Sequence, residues 1–263
     1  MNNNCIKIID LNYLDVFNNF NLEIQNNKFT IISGSNNCGK TTLIRIIDGQ
    51  IKCNGTILLY DKQINDYKLT EIGNLIKTII PKETTFTQNK VEEELNYQLS
   101  ELSKEERLKR VKEIAKKFKI SKFLSYPIET LSEDIIIRLQ LALAVINSPK
   151  IILIDDLFPY YKKQDLLDIV QEIKKISKSE NITILMMTNC LDCALISDYI
   201  YVINTGKIVI EGEPLNVLEK DNILNKAGLN LPFMIDLSVK LRDYDLIKNI
   251  ELDMDRMVDT LWN

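Results

Sequence analysis

The sequence predicts an α/β fold: a largely parallel β-sheet that carries helices, an inserted helical subdomain, and a small α-rich C-terminal extension. Short apolar runs rich in β-branched residues alternate with helical patterns along most of the chain, as in parallel sheets. A helix-rich block, residues 91–124, interrupts this alternation, so we place a helical subdomain at about residues 85–148. The strand pattern stops after Gly212-Glu213-Pro214, which divides the chain into a main domain, residues 1–218, and an extension, residues 219–263.

Eight apolar runs predict strands, and six segments with helical periodicity predict helices. The predicted strands are residues 6–9, 29–33, 56–60, 77–80, 151–155, 182–187, 199–203 and 207–210. The predicted helices are residues 40–47, 91–99, 104–118, 135–147, 165–178 and 191–197. Ser103, followed three residues later by Glu106, is a capping-box pattern that marks the start of the third helix.

The composition narrows the class of protein. The chain has 263 residues, with 33 Lys and Arg against 37 Asp and Glu, and its formal net charge of −4 is ordinary for a soluble globular protein. No apolar run approaches the roughly 18 residues that span a bilayer, and the N-terminus lacks the pattern of a signal peptide. The mildly acidic balance disfavours a dedicated nucleic-acid binder. We therefore expect a cytoplasmic protein with no nucleic-acid partner.

Histidine is absent from the sequence, and this excludes several kinds of site. A Ser-His-Asp triad, an imidazole base and a histidine-ligated metal are all impossible. The five cysteines are scattered, which indicates reduced thiols rather than a disulfide framework. Cys190 and Cys193 form a lone C-x-x-C pattern. Because a zinc site needs four ligands, we interpret these two residues as small buried thiols.

The strongest motif is a glycine-rich loop between a predicted strand and a predicted helix. Residues 34–41 fit G-x-x-x-x-G-K-S/T, in which backbone N–H groups and the helix N-terminus face the phosphates of a nucleotide. We expect Lys40 to neutralise the β- and γ-phosphates of the nucleotide, and the Thr41 hydroxyl to bind Mg²⁺. The predicted nucleotide-binding residues of the loop are Gly34, Ser35, Asn36, Asn37, Cys38, Gly39, Lys40, Thr41 and Thr42.

A nucleotide loop needs a second magnesium contact, an acid at the end of a neighbouring apolar strand. Asp155 and Asp156 follow such a strand at its carboxyl end. We expect Asp155 to hold the ion through water, and Asp156 to point into the same crevice. The alternative for the loop is a tight strand-to-helix turn with an incidental lysine, and acids often end strands. The two patterns together therefore carry more weight than either alone.

The span from the phosphate loop to Asp156 resembles an ATPase of the ABC type. The segment from Leu131 to Arg138 stands where that family carries LSGGQ-x-x-R, and the Asp155 strand follows at the family's usual spacing. Residues 182–189 and 197–214 continue the match. The tail segments 231–243 and 252–262 resemble the C-terminal extension of energy-coupling factor (ECF) transporter ATPases, the cobalt/nickel-importer type. The resemblance covers nearly the whole chain.

The resemblance implies two catalytic positions, and the chain departs from the family at both. Asp156 stands where the family has its general base, a glutamate, and its side chain is one methylene shorter. Loss of a general base typically costs about 10²–10⁴-fold in rate. Asn189 stands where the family has a switch histidine, and it can hydrogen-bond a γ-phosphate but cannot transfer a proton.

The signature segment of the family contacts the ATP held by the opposite subunit. Ser132 keeps its place in this segment and is a candidate nucleotide-binding residue, but Glu133 and Asp134 replace the two glycines. Two carboxylates at this position would repel a nucleotide. Ser132 and Asp134 would also cap a helix that begins near Ile135, so we expect the segment to keep its helix-start role and to lose its phosphate role.

Other features of the family lack a clear counterpart. The glutamine that links magnesium to the membrane partner should fall near Ile80-Pro81, and Gln88 lies too far along the chain to replace it. The D-loop is unrecognisable in residues 159–163. Tyr13 is the best candidate for an aromatic residue that stacks on adenine.

The resemblance implies the ATP-binding subunit of an ECF-type ABC importer, peripheral on the cytoplasmic face of the cell membrane. Such a subunit uses ATP and Mg²⁺ to drive uptake of a vitamin or metal through transmembrane ECF subunits. Because the motifs are degraded, we expect impaired hydrolysis and a heterodimer with a more complete second ABC ATPase, joined partly through residues 219–263. The alternatives are a non-hydrolysing ATP-binding scaffold, the ATPase of another ABC transporter and, more distantly, a P-loop kinase.

Overall fold

Two β-sheets organise the structure, a computed structural model that describes residues 3–81 and 83–262. The strands are β1 (Asn4–Tyr13), β2 (Phe17–Gln25), β3 (Phe29–Gly34), β4 (Asn54–Leu59), β5 (Lys62–Gln63), β6 (Ile76–Ile79), β7 (Ile151–Ile154), β8 (Thr183–Met187), β9 (Tyr199–Asn204) and β10 (Lys207–Gly212). The first sheet is antiparallel, in the order β2-β1-β4-β5. The second has the order β10-β9-β3-β8-β7-β6 and is parallel except for the edge strand β10.

Helices connect the strands and cover the parallel sheet. They are α1 (Lys40–Ile47), α2 (Leu69–Leu75), α3 (Val91–Tyr97), α4 (Lys104–Lys117), α5 (Glu133–Ile146), α6 (Lys163–Glu180), α7 (Pro214–Leu218), α8 (Asp221–Lys226), α9 (Phe233–Asp243) and α10 (Met254–Trp262). A 3₁₀ helix, Leu191–Ile196, follows β8. Helices α3, α4 and α5 contact one another, and α5 also contacts β6.

The middle strands of the parallel sheet bring three functional segments to one edge. Strands β3, β7 and β8 are buried along their whole length, as expected for strands covered on both faces. β3 pairs with β8 and β9, and β7 pairs with β8 in parallel register. The phosphate loop after β3, Asp155 after β7 and Thr188 after β8 therefore leave the sheet at its carboxyl edge.

The apolar core divides into two clusters on opposite sides of the parallel sheet. One cluster joins the sheet to helices α3–α6 and to the tail. The other lies between the sheet, α1 and the antiparallel sheet. Alternate residues of one strand contribute to different clusters: Ile31 belongs to the first and Ile32 to the second, both with no exposed surface. Strand β3, which leads into the phosphate loop, is therefore held by apolar packing on both of its faces.

All eight predicted strands are present, but the expectation of one largely parallel sheet was incomplete. The antiparallel sheet was not predicted, because strand β2, FNNFNLEIQ, is rich in asparagine, a residue depleted in strands. Its buried positions are Phe17, Phe20, Leu22 and Ile24, while the asparagines between them are exposed. One apolar face, rather than overall composition, makes this segment a strand.

The helix predictions need two corrections. The helix expected near Ile135 begins at Glu133, so Ser132 is the N-cap residue, but its side chain makes no capping hydrogen bond. Asp134 lies in the first turn and binds Arg138 instead of capping. The segment expected as an α-helix at 191–197 is the 3₁₀ helix Leu191–Ile196. The capping box is confirmed: Glu106 N–H donates to Ser103 Oγ, and Ser103 N–H donates to the Glu106 carboxylate.

The C-terminal tail packs on the main core through part of its length. Leu224, Ala227, Leu229, Ile235 and Val239 are buried members of the core cluster that contains the parallel sheet. Arg242 on α9 also donates to Glu219 at 2.8 Å. The last helix, α10, buries less of its apolar surface. Met257 is buried, whereas Met254, Val258, Leu261 and Trp262 are exposed.

Candidate functional site

The phosphate loop lines a cleft of about 590 Å³ at the carboxyl edge of the parallel sheet. The loop turns tightly because Asn37 and Gly39 have left-handed backbones, with φ of 66° and 102°. A side chain at Gly39 would also lie 2.7 Å from Val16, and one at Gly34 would lie 2.3 Å from the Ile203 carbonyl oxygen. Both glycines are therefore required by the way this loop packs.

The Lys40 ammonium group lies inside the phosphate loop. Its Nζ donates to the carbonyl oxygens of Gly34 and Ser35 at 2.7 and 2.9 Å. A third contact, at 3.7 Å, reaches the Cys38 sulfur. These groups hold the charge at the centre of the loop without neutralising it, because carbonyl oxygens carry only partial negative charge. Lys40 is therefore a fixed cation available to an anion in the cleft.

Thr41 and Asp155 join the first turn of α1 to the end of β7. The Thr41 hydroxyl donates to Asp155 Oδ2 at 2.7 Å. A hydroxyl and a carboxylate oxygen at this distance are hard donors of the kind that Mg²⁺ prefers. No group of three or more acidic, cysteine or histidine side chains that could hold a metal is found among the described residues. Any Mg²⁺ in this cleft would take its remaining ligands from phosphate oxygens and water.

A series of hydrogen bonds connects Asp156 to the loop that follows β8. The Thr188 hydroxyl donates to Asp156 Oδ1 at 3.1 Å, and the backbone N–H of Asp156 donates to Asp155 Oδ1 at 3.0 Å. The backbone N–H of Cys190 donates in turn to the Thr188 hydroxyl oxygen at 3.1 Å. Thr188 is fully buried, so this series of hydrogen bonds positions one oxygen of the Asp156 carboxylate.

Asn189 ties the segment after β8 to the phosphate loop. Its side-chain N–H donates to the Asn36 side-chain oxygen at 2.7 Å. The other end of the amide, Asn189 Oδ1, is buried and has no hydrogen-bond partner among the described residues. A single bond between two side chains therefore bridges the cleft wall, and it can open without disturbing a backbone hydrogen bond.

The cleft brings together most of the residues that the sequence predicts. It is lined by Val16, Asn36, Asn37, Gly39, Lys40, Thr41, Thr42, Asp155, Asp156 and Asn189. Gly34, Ser35 and Cys38 shape the loop from behind rather than line the cleft. Val16 and Thr188 were not predicted as site residues from the sequence. A hydroxyl beside Asn189 was a usable signal for Thr188, whereas nothing in the sequence marks Val16.

The signature segment lies outside this cleft, and its two carboxylates have different surroundings. Asp134 accepts from Arg138 Nε at 3.1 and 3.2 Å, and Arg138 also donates to Glu172 of α6 at 2.8 Å. Burial, followed by the Asp134 charge, raises the pKa of Tyr161, which keeps its phenol neutral beside this pair. The expectation that both carboxylates would repel a nucleotide therefore needs correction, because Arg138 neutralises Asp134. Glu133 is exposed, so the expectation of repulsion now rests on this residue.

Two other predicted positions lie away from the cleft. Tyr13 is half-buried against the second core cluster and does not line the cleft, while Val16 does. The backbone N–H of Gln88 donates to the buried Glu94 carboxylate at 2.7 Å, which holds Gln88 in the loop before α3. Gln88 therefore does not replace the missing glutamine near Ile80-Pro81.

Comparison with known proteins agrees with this geometry. The family profile described as ABC transporter matches residues 17–158, which include the phosphate loop and Asp155. The chain is 29% identical over 264 residues to the energy-coupling factor transporter ATP-binding protein EcfA of Pediococcus pentosaceus, covering 96% of this chain and 94% of that relative. It is 28% identical to EcfA of Onion yellows phytoplasma, covering 94% and 92%.

Solved structures share the fold. CbiO1 of Clostridium perfringens, described as part of the ABC transporter complex cbiONQ, superposes with a TM-score of 0.78 at 24% identity, covering 89% of this chain and 98% of that chain. A dimeric ATP-binding cassette bound to ADP and Pi superposes with a TM-score of 0.70 at 22% identity, covering 80% and 98%. No helix in the described part of the chain is long and apolar enough to cross a membrane. Since the family profile spans more than half of the sequence and the fold agrees, the chain belongs to the ABC transporter family, as an ATP-binding protein related to those of energy-coupling factor transporters.

Proposed function

We propose that this chain is the ATP-binding subunit of an ECF-type importer, and that it couples ATP binding and hydrolysis to uptake of a vitamin or metal. The observation that carries the proposal is the arrangement of Lys40, Thr41 and Asp155: a fixed cation and two hard oxygen donors 2.7 Å apart in one cleft. The relatedness to EcfA proteins over nearly the full length of both chains supports the transporter assignment.

We assign four residues of the cleft a task toward Mg-ATP. Lys40 exchanges its carbonyl partners for the β- and γ-phosphate oxygens, which bear full negative charge and bind an ammonium more strongly. Thr41 and Asp155 are the residues that would hold Mg²⁺, which would supply charge neutralisation at the phosphates. Asp156 is placed to accept a proton from the attacking water, with one of its oxygens fixed by Thr188.

A second candidate function is a scaffold that binds ATP without hydrolysing it. Asp156 supports this alternative, because its carboxylate is shorter than the glutamate of the family and one oxygen accepts from Thr188. Asn189 also supports it, since an amide cannot take up a proton and its N–H is already bonded to Asn36. Binding alone uses Lys40 and Thr41, so the complete loop favours neither function.

We propose a heterodimer with a second ABC ATPase whose motifs are more complete. In a head-to-tail dimer, Ser132 and Glu133 of this chain would face the nucleotide on the partner's loop. Glu133 at the start of α5 places a negative charge there, so the partner's site is the one that this chain impairs. The site on this chain's own loop depends on the partner's signature segment.

The tail is proposed to contribute to assembly. Helix α10 shows an exposed apolar face made of Met254, Val258, Leu261 and Trp262, with exposed fractions from 41% to 84%. Leu252, just before the helix, is also 50% exposed. A face of this kind on a single helix is typical of a surface that another subunit covers. We propose that the second ATPase subunit covers it.

Turnover by the assembled complex tests the proposed function. The chain would be purified with its second ATPase and transmembrane subunits, and Mg-ATP hydrolysis and substrate uptake would be measured for the native chain and for Lys40→Ala. The importer proposal expects Lys40→Ala to reduce both, whereas Lys52→Ala, an exposed lysine outside the cleft, should leave them unchanged. Full uptake with Lys40→Ala would favour the partner's site alone and contradict the proposed role of this chain.

A further inference from the structure

Cys190 and Cys193 stand next to the nucleotide cleft and have no part in the function described above. Both are reduced, and they flank the first turn of the 3₁₀ helix that follows Asn189. The backbone N–H of Cys193 donates to the Cys190 carbonyl oxygen at 3.1 Å. Cys190 is the N-cap residue of this helix and Cys193 lies in its first turn, so the bond closes one turn between them. The two cysteines therefore lie together at the N-terminal end of the helix.

The two thiols differ in ways that suit thiol–disulfide exchange. The Cys193 thiol lowers the pKa of Cys190, against burial and the Asp192 charge, which raise it, and the Cys190 sulfur lies 3.9 Å from Asp192 Oδ2. The Cys190 thiol, followed by burial, raises the pKa of Cys193. Cys190 keeps 8% of its surface exposed, while Cys193 keeps none. Cys190 is thus the nucleophile that a small reagent can reach, and Cys193 is the buried thiol behind it.

We propose that Cys190 and Cys193 form a reversible disulfide by exchange with a low-molecular-weight disulfide, and that this bond controls the nucleotide cleft. The inference rests on the nucleotide-binding role proposed for that cleft. The Cys190 thiolate attacks the reagent RSSR, forming Cys190–S–SR and releasing RS⁻. The Cys193 thiol loses its proton to RS⁻, attacks the Cys190 sulfur and displaces the second RS⁻, which takes a proton from water. Two protein thiols are oxidised, and one disulfide is reduced to two thiols.

The bond acts on the cleft through Asn189 and Thr188. A disulfide holds its sulfurs about 2.05 Å apart, closer than two unbonded sulfurs can approach, so we expect the turn at Cys190 to shift when the bond forms. The Cys190 N–H is bonded to the Thr188 hydroxyl, which positions Asp156, and the preceding residue, Asn189, is bonded to Asn36 of the phosphate loop. The Asn189–Asn36 bond helps to hold the phosphate loop, so we expect its loss to weaken Mg-ATP binding by about fivefold, the factor that corresponds to about 1 kcal/mol.

Peptide mapping of the full chain tests whether the disulfide forms. The folded protein would be incubated with oxidised glutathione, and the remaining thiols would then be alkylated in denaturant. We expect a Cys190–Cys193 disulfide that dithiothreitol reverses, with Cys5, Cys38 and Cys53 alkylated. Cys193→Ser should instead trap a glutathione adduct on Cys190, and Cys53→Ser, a matched control at a half-exposed cysteine, should behave like the native chain. Alkylation of both Cys190 and Cys193 after oxidation would overturn the site.

Calorimetry of the same samples tests the link to the cleft. Mg-ATP should bind the oxidised chain about fivefold more weakly than the reduced chain, and dithiothreitol should restore the affinity. Equal affinity of the two states would overturn control of the cleft while leaving the disulfide itself in place. Neither readout depends on hydrolysis or on a membrane partner, so failure of the importer proposal would appear separately, in the turnover and uptake assays.

Discussion

The side-chain amide of Asn189 donates to the side-chain oxygen of Asn36 at 2.7 Å, which joins the segment after β8 to the phosphate loop. In the family that the chain belongs to, the resemblance places a histidine at this position. An asparagine satisfies the loop contact but offers no group that titrates near neutral pH. Asn189 therefore keeps the hydrogen bond to the phosphate loop but cannot transfer a proton as a histidine could.

The first prediction separates the enzyme from the scaffold. Asp156→Glu combined with Asn189→His should raise ATP turnover at this chain's own site, because a longer carboxylate can reach the attacking water and an imidazole can bind the γ-phosphate. The gain should approach the lower end of the range for a general base, about 100-fold, when the partner supplies an intact signature segment. Steady-state hydrolysis by the purified heterodimer in its membrane complex is the measurement.

The matched control for that experiment is the same double substitution combined with Lys40→Ala, which should abolish any gain. A native complex that is faster than the double variant would show that Asp156 and Asn189 are adapted to hydrolysis, and the description of them as impaired would be wrong.

The second prediction distinguishes the two carboxylates of the signature segment. Glu133→Gly should raise turnover at the opposite site, because it removes an exposed charge that costs on the order of 1–4 kcal/mol near a triphosphate. Asp134→Gly should not, since Asp134 is paired with Arg138 and its loss leaves that guanidinium with Glu172 alone. We expect Asp134→Gly to lower thermal stability instead, by calorimetric melting. Equal gains in turnover from both substitutions would contradict the ion-pair assignment.

The third prediction concerns acid stability at the start of the phosphate-loop strand. Asp198 accepts from the backbone N–H of Phe29 at 2.9 Å and pairs with Lys174 at 2.8 Å. Although burial raises it, these contacts hold the pKa of Asp198 below its usual value. A lowered folded-state pKa gives stability that is present above the unfolded pKa, about 3.9, and is lost as the pH falls through the folded pKa.

Asp198→Asn should therefore lower the free energy of unfolding at pH 7 by about 1–3 kcal/mol and flatten its decline below pH 4. Urea unfolding at a series of pH values measures both. Asp165→Asn, at an exposed aspartate in the first turn of α6, is the control. An unchanged acid profile for Asp198→Asn would show that the Phe29 and Lys174 contacts do not stabilise the fold.

The fourth prediction concerns the exposed face of α10. Val258→Asp with Leu261→Asp should weaken association with the second ATPase, because both side chains are exposed in this chain and would be desolvated in an interface. The fold should be retained, since Met257 anchors the helix. Analytical ultracentrifugation of the pair measures the effect. Thr260→Asp on the same helix is the control, and an unchanged dissociation constant for the double variant would exclude this face from the interface.

The sequence predicts the nucleotide side of the molecule well and the antiparallel sheet poorly, for a physical reason. The phosphate loop follows β3 and Asp155 follows β7. Both strands are buried along their whole length, and the sequence alone reveals such strands because they are short, largely apolar runs. Strand β2 instead depends on four buried residues among asparagines, and only pairing with β1 reveals its apolar face.

The hydrogen-bond and ion-pair partners of the site residues were also not predicted from the sequence. The sequence places Asp134 next to Glu133, but the neutralising contact comes from Arg138 one turn later, supported by Glu172 on a different helix. The bond between Asn189 and Asn36 joins residues 153 positions apart. The i, i+4 spacing of Asp134 and Arg138 was a usable signal, whereas the Arg138–Glu172 and Asn189–Asn36 contacts depend on how whole elements pack.

The central claim is that this chain binds Mg-ATP through its own phosphate loop, with Lys40 as the cation for the phosphates. Isothermal titration of the purified full chain with Mg-ATP, native against Lys40→Ala, tests it most directly. Loss of one to two charge-assisted contacts predicts that Lys40→Ala weakens binding by about 10–100-fold, with the melting temperature of the protein without ATP unchanged and Lys52→Ala equal to the native chain. A folded Lys40→Ala protein that binds Mg-ATP with native affinity would contradict the account.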